Sequence, residues 1–140
     1  GPQGRPVEWI AVNTAESQNK AIAFKIQNLI NEGIDLDDIA IINFGSVAEK
    51  GGLQTKLREL KMNIPLDGLE PKTNKKHVSY DSVARYQGLE FPIVIFTNFT
   101  KNIDEETIHD LYIGLTRSSN HLIIIGKQAN FESIKKLTGM

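Results

Sequence analysis

Two stretches of the sequence hold residue types that could do chemistry. The first reads Ser82-Val83-Ala84-Arg85-Tyr86-Gln87-Gly88-Leu89-Glu90-Phe91-Pro92 and continues into the apolar run Ile93-Val94-Ile95-Phe96. Gly88 would let the backbone turn tightly or lie close to a ligand. Glu90 stands just ahead of the apolar run, where a carboxylate must either face solvent or hold a specific hydrogen bond. Spacing alone favours the plainer reading, a simple turn at Gln87 and Gly88 with a solvated Glu90. The second stretch is Leu111-Tyr112-Ile113-Gly114-Leu115-Thr116-Arg117-Ser118-Ser119-Asn120-His121-Leu122. Arg117 falls where a helix ends. It could complement the helix macrodipole, or it could project a guanidinium whose fork of donors suits phosphate. Spacing leaves both readings open.

The elements that must position these residues alternate. Residues 7–12 read as a short buried strand. Residues 16–32 read as a helix with Ala21, Phe24, Ile26, Leu29 and Ile30 near a 3.6-residue period, capped by Asn13 or Thr14 and ended by Gly33. After a turn at residues 35–38, the β-branched run 39–44 reads as a central strand. Residues 53–60 form a second helix with Leu53, Leu57 and Leu60 on one side, and residues 66–77 read as a loop. Strands follow at 78–83, at 93–99, which is apolar enough to be buried on both faces, and at 121–126. A helix is expected from Asp104 towards Thr116, and a last one over 130–137 with Asn130 as its N-cap. Alternating strands and helices with uninterrupted apolar strands imply a parallel, three-layer α/β sheet. Sites in such folds gather at the carboxyl ends of the strands, which is where Gly88, Glu90 and Arg117 are expected.

Composition narrows the function classes. The chain has 140 residues, enough for one compact domain over 1–140, with residues 1–6 reading as a tag remnant or linker joined to a piece of a longer protein. With 40% hydrophobic and 24% charged residues, a sizeable core is expected. The net charge of −1 carries no basic footprint for a stand-alone nucleic-acid module. With no cysteine there is no thiolate metal site or thiol nucleophile, and a cytoplasmic setting is expected. His77, His109 and His121 are scattered, so no metal site is expected. No apolar run reaches membrane-spanning length. Trp9 reads as a packing residue, Tyr86 as either packing or a DNA-stacking aromatic, His109 as a surface residue, and Lys72, Lys75 and Lys76 as a solvated loop, with phosphate contact the lesser reading.

Taken together, the two stretches resemble motifs of the UvrD/Rep/PcrA-like superfamily 1 DNA helicases. Gly88-Leu89-Glu90-Phe91-Pro92-Ile93-Val94 is similar to motif V, roughly T-x-H-x-x-K-G-L-E-F-x-x-V. Leu111-Tyr112-Ile113-Gly114-Leu115-Thr116-Arg117 is similar to motif VI, roughly L-x-Y-V-G/A-x-T-R-A. The region from Ile39 through Leu57 and Leu60 to Ile64-Pro65 also resembles the family's strand, helix and "g-I-P" run, so the resemblance covers most of the chain. It implies a RecA-like, P-loop NTPase-like fold, the second motor domain of an ATP-dependent DNA helicase or translocase. Its partners would be single-stranded DNA and the N-terminal RecA-like domain of the same polypeptide. ATP with Mg²⁺ would be held mainly by that first domain. The resemblance casts Arg117 as the arginine finger, Glu90 as a ribose partner, Gly88 as the close-approach residue and Thr116 as a support for the finger. Ser82, Arg85, Tyr86 and Gln87 would face DNA.

The chain departs from the pattern where it has Ser82, Ala84 and Gln87 in place of Thr, His and Lys. Ser82 keeps a hydroxyl; Ala84 loses the histidine's contact and Gln87 a charge. Classical relatives insert an accessory domain between Ile64-Pro65 and Val78, where this chain has a short loop. No G-x-x-x-x-G-K-[ST] loop and no D-E-x-Q pair occur in the 140 residues, so the isolated chain is expected to be inactive towards ATP and to bind DNA weakly. The arginine-bearing motif that opens this domain in relatives is expected before Gly1. Two further readings stand beside the motor: a degenerate RecA-like binding module and a non-unwinding ATPase.

Overall fold

The computed structural model describes residues 6–46, 48–86, 88–98, 106, 109 and 119–138. Six strands form one sheet: β1 (Glu8–Ala11), β2 (Ile39–Asn43), β3 (Leu66–Asp67), β4 (Val78–Ser82), β5 (Ile93–Thr97) and β6 (His121–Gly126), in the order β1-β6-β5-β2-β4-β3. All five pairings are parallel, with Ile93 opposite both Ile39 and His121. The amino ends of β2, β5 and β6 therefore share one edge of the sheet. β5 lies between β6 and β2, and each of its residues is buried, as its unbroken apolar run demands.

Side-chain alternation divides the core into two layers. Ile41, Tyr80, Ile95 and Ile123 face α1 (Ala15–Asn31) and α2 (Glu49–Glu59). Ile42, Phe96, Leu122 and Ile124 face Phe131 and Ile134 of α3 (Gln128–Thr138) and Tyr86. Helix α1 buries Ile22, Ala23, Ile26 and Leu29, one stripe at helical spacing. Each fully buried Ile or Leu contributes roughly 1.5–3 kcal/mol relative to an exposed one. Thr14 is the N-cap: its Oγ1 accepts from the Ser17 N–H at 3.0 Å and the Ser17 Oγ accepts from the Thr14 N–H at 3.1 Å. Such a cap is worth about 1 kcal/mol. Gly33, at φ +93°, ends the helix in a conformation that costs glycine little.

Several boundaries differ from the sequence reading. Helix α2 begins at Glu49 rather than Leu53, because its first turn carries Gly51 and Gly52 and no apolar residue to mark it; Leu60 is its C-cap. Helix α3 begins at Gln128, so Asn130 lies inside it; the N–H groups of Asn130 and Phe131 donate to the Lys127 carbonyl at 2.9 and 3.3 Å. The stretch read as loop contains β3, whose two residues are too few to show a period. Strand β4 stops at Ser82, and Val83–Tyr86 form a 3₁₀ turn. Phe99 and all of the helix expected over 104–116 except Glu106 and His109 lie outside the described residues; those two are helical, and His109 is exposed as expected. Trp9 takes the packing role: its ring meets Phe131 edge-on at 5.2 Å, and the Lys135 ammonium lies 4.9 Å from the ring centroid.

Candidate functional site

The first chemical stretch crosses the sheet. Ser82 ends β4 at the carboxyl edge, opposite Asn43. The chain then turns through Val83–Tyr86 and descends to Ile93, at the amino edge. Tyr86 fixes the middle of this descent. It is 1% exposed, its hydroxyl donates to the Ile41 carbonyl at 3.1 Å, and its ring meets Phe91 edge-on at 6.0 Å. Burial pushes its phenol well above the usual value, so it remains a donor. This corrects the expectation of Tyr86 as a DNA contact. Its ring is spent on the core and offers no face to a base.

Gly88 and Glu90 lie on the descending limb, so they approach the amino ends of the strands rather than the carboxyl ends expected for them. Gly88 has φ +79°, and a Cβ there would meet nothing within 4 Å; the backbone conformation, not crowding, is what selects glycine. Leu89 is 42% exposed, Glu90 is exposed, and no hydrogen bond or ion pair holds the Glu90 carboxylate among the described residues. The two chemical stretches meet here. The backbone N–H groups of Asn120 and His121 both donate to the Pro92 carbonyl, at 2.8 and 3.1 Å. Thr116, Arg117 and Gln87 lie outside the described residues.

The end of the second stretch is held by a partly buried polar cluster that the sequence reading missed. His121 Nε2 lies 3.3 Å from Glu8 Oε1, and Glu8 Oε2 lies 2.5 Å from Lys25 Nζ. The amino end of β6 is thereby tied to β1 and α1. Nothing in the spacing of residues 8, 25 and 121 could announce this, because strand order alone makes β1 the neighbour of β6.

At the carboxyl edge, Asp81 organises the turn after β4. Its oxygens accept from the Ser82 and Leu69 N–H groups at 2.8 and 3.1 Å, and Arg85 Nε lies 3.5 Å away. Arg85 also reaches Glu70 at 3.7 Å. Its guanidinium is half exposed, and any phosphate there would compete with two carboxylates. Beside this turn lies a network of neutral side chains, also missed. The Asn98 amide donates to Asn43 Oδ1 at 2.8 Å and to the Tyr80 hydroxyl at 3.1 Å, while Gln18 and Asn98 bond through their side-chain amides. Asn43 in turn accepts from the Gly45 N–H and donates to the Ser46 carbonyl. These donors and acceptors satisfy one another and fix the loops after β2 and β5. A cavity of about 420 Å³ adjoins the network, lined by Gln18, Asn98, Glu49 and Lys127 among others.

A wholly parallel sheet with helices on both faces, whose two candidate segments are joined at the amino edge, defines an α/β domain of RecA-like type. Residues 77–125 match the family model of the UvrD-like helicase C-terminal domain, so the resemblance read from the sequence holds over a span that includes both motif segments. The C-terminal domain of a possible DNA helicase from Lactobacillus plantarum WCFS1 has the same fold, with a TM-score of 0.65 and 19% identity; the match covers 89% of this chain and 75% of that one. No curated protein matches the chain.

Proposed function

We propose that this domain is the second motor domain of an ATP-dependent superfamily 1 DNA helicase or translocase, and that its amino edge completes a nucleotide site begun by another RecA-like domain. The observation that supports this reading is the pair of hydrogen bonds from Asn120 and His121 to Pro92, which ties the end of the motif V segment to the residues that follow the motif VI segment in sequence. A Glu90 that is exposed and unpaired among the described residues, and the open turn at Gly88, fit a polar ligand that approaches along the backbone. In this reading Glu90 accepts from the nucleotide ribose and Gly88 leaves the loop free to lie against it. Thr116 supports Arg117, whose guanidinium stabilises charge on the transferring phosphoryl group. ATP with Mg²⁺ supplies the phosphoryl group and is held mainly by the partner domain. Ser82 and Arg85, after the carboxyl end of β4, are the DNA-facing residues together with Gln87, without Tyr86.

The test is Arg117→Ala in a polypeptide that joins this domain to a motor domain with a phosphate-binding loop. Single-turnover ATP hydrolysis should fall by roughly a thousandfold, with melting temperature and DNA binding nearly unchanged. Arg117→Lys should recover little, because a point charge cannot reproduce the planar fork. Retained turnover, or a loss of stability in proportion to activity, would show Arg117 to be only a helix-end cation.

A further inference from the structure

The outermost strand of the sheet carries a groove that neither motif uses. A cavity of about 490 Å³ opens between the end of α2, residues 62–65, β3 and residues 73–77. Its lining includes the buried side chains of Leu57 and Ile64 and both residues of β3. Exposed Arg58 and Lys75 also line it, with half-buried His77 beside them.

The charges of this groove do not cancel internally. Among the described residues, Arg58 Nη2 donates only to the neutral Thr55 hydroxyl, at 3.3 Å. The Lys75 ammonium has no carboxylate partner among them either, unlike its neighbour Lys76, which pairs with Asp35 at 2.6 Å. His77 Nδ1 faces the Lys75 carbonyl at 2.9 Å, which leaves Nε2 as the ring's other polar atom. Asp67 is the one carboxylate in the lining. Its two oxygens already accept from the N–H groups of Gly68 and Lys72, at 2.8 and 2.9 Å. A locally cationic groove therefore exists on a chain whose net charge is −1.

We propose that this groove docks an extended acidic segment of a partner protein, whose carboxylates meet Arg58 and Lys75 and whose intervening apolar side chains cover Leu57 and Ile64. Three observations favour a peptide over a nucleic-acid strand. The lining holds no Phe, Tyr or Trp on which bases could stack. Its apolar members suit the side chains of a peptide better than a sugar-phosphate backbone. And β3 ends the sheet, so its outer side has no strand neighbour among the described residues, a position from which extended peptides commonly add to sheets.

The experiment is fluorescence anisotropy of the chain with a labelled peptide of alternating Glu and Leu, its Lys and Leu counterpart, and labelled oligothymidylate. The acidic peptide should bind and weaken with salt. Arg58→Glu with Lys75→Glu should weaken it by about tenfold or more, since two exposed attractions become repulsions, and should bind the basic peptide instead. Lys75→Ala alone should lower affinity by about threefold, which keeps the test decisive if the double reversal perturbs folding. Absence of acidic-peptide binding, affinity indifferent to these substitutions, or oligothymidylate captured in preference with the same dependence on Arg58 and Lys75 would each overturn the proposal.

Discussion

Replacing Tyr86 separates a core role from a DNA-binding one. Its hydroxyl donates to the Ile41 carbonyl in the middle of β2, and the residue is 1% exposed. Tyr86→Phe removes this one hydrogen bond and keeps the ring, so the cost should be near ~1 kcal/mol, the net value of a buried neutral hydrogen bond. For a chain of this size that lowers the melting temperature by about 4 °C. Tyr86→Ala also removes the ring that packs among Ile42, Val94 and Phe96 and meets Phe91. Truncations of this kind cost about 3–5 kcal/mol, a large share of the roughly 5–15 kcal/mol that holds a domain together. Urea denaturation of the two variants measures both losses. Single-stranded DNA binding, measured where each variant is folded, provides the contrast. A stacking residue would lose about 1–3 kcal/mol of DNA binding on truncation with stability intact. That pattern, with Tyr86→Ala as stable as the parent to within about 0.5 kcal/mol, would refute the core assignment.

Thr97 is fully buried, and its hydroxyl has no hydrogen-bond partner among the described residues, so Thr97→Val should stabilise the chain by about 1 kcal/mol in urea denaturation; a loss of stability would mean that the hydroxyl has a partner. Acid should destabilise the chain through two carboxylates. Desolvation would raise the Asp67 carboxyl, but the Gly68 and Lys72 N–H groups outweigh it and hold it below its usual range, and the hydrogen bond from Lys76 does the same for Asp35. A depressed folded-state value contributes stability that is fully present above the unfolded value of about 3.9 and is lost as pH falls through the folded one. Unfolding midpoints should therefore drop below about pH 4, and Asp67→Asn should flatten that decline; an unchanged slope would remove Asp67 from the account.

Sequence pattern revealed the parallel sheet because its central strands β2, β5 and β6 are apolar over most of their length, and these could be placed within two residues. It failed where the signal is short or non-local. The two residues of β3 carry no period, and the Gly51-Gly52 pair hides the first turn of α2. The candidate site was legible as two motifs but not as a place. The rule that ligands gather at carboxyl ends put Gly88 and Glu90 on the wrong edge, since the residues that precede a parallel strand must lie by its amino end. The burial of Tyr86 was equally hidden. Its neighbours Ala84 and Arg85 are exposed, and only the return of the chain across β2 decides which side of the 3₁₀ turn faces in.

That return has a mechanical consequence for the proposed motor. Ser82 sits at the carboxyl edge and Glu90 approaches the amino edge, so the two ends of this segment, proposed to face DNA and nucleotide, are joined by a single short crossing of the sheet face. The crossing is fastened to β2 by the Tyr86 hydroxyl and to the start of β6 by the Pro92 carbonyl. In the proposed motor, a nucleotide that moves Glu90 would strain one of these fastenings or move the crossing as a unit against a close-packed core, which deforms in discrete steps rather than smoothly. Of the departures from the family pattern, Ser82 and Ala84 precede Tyr86 and Gln87 follows it, while the Gly88-Leu89-Glu90 run is kept. Because the buried Tyr86 is bonded to the Ile41 carbonyl between exposed Ala84 and Gly88, substitutions at Ala84 should leave the proposed nucleotide-facing turn at Gly88 in place.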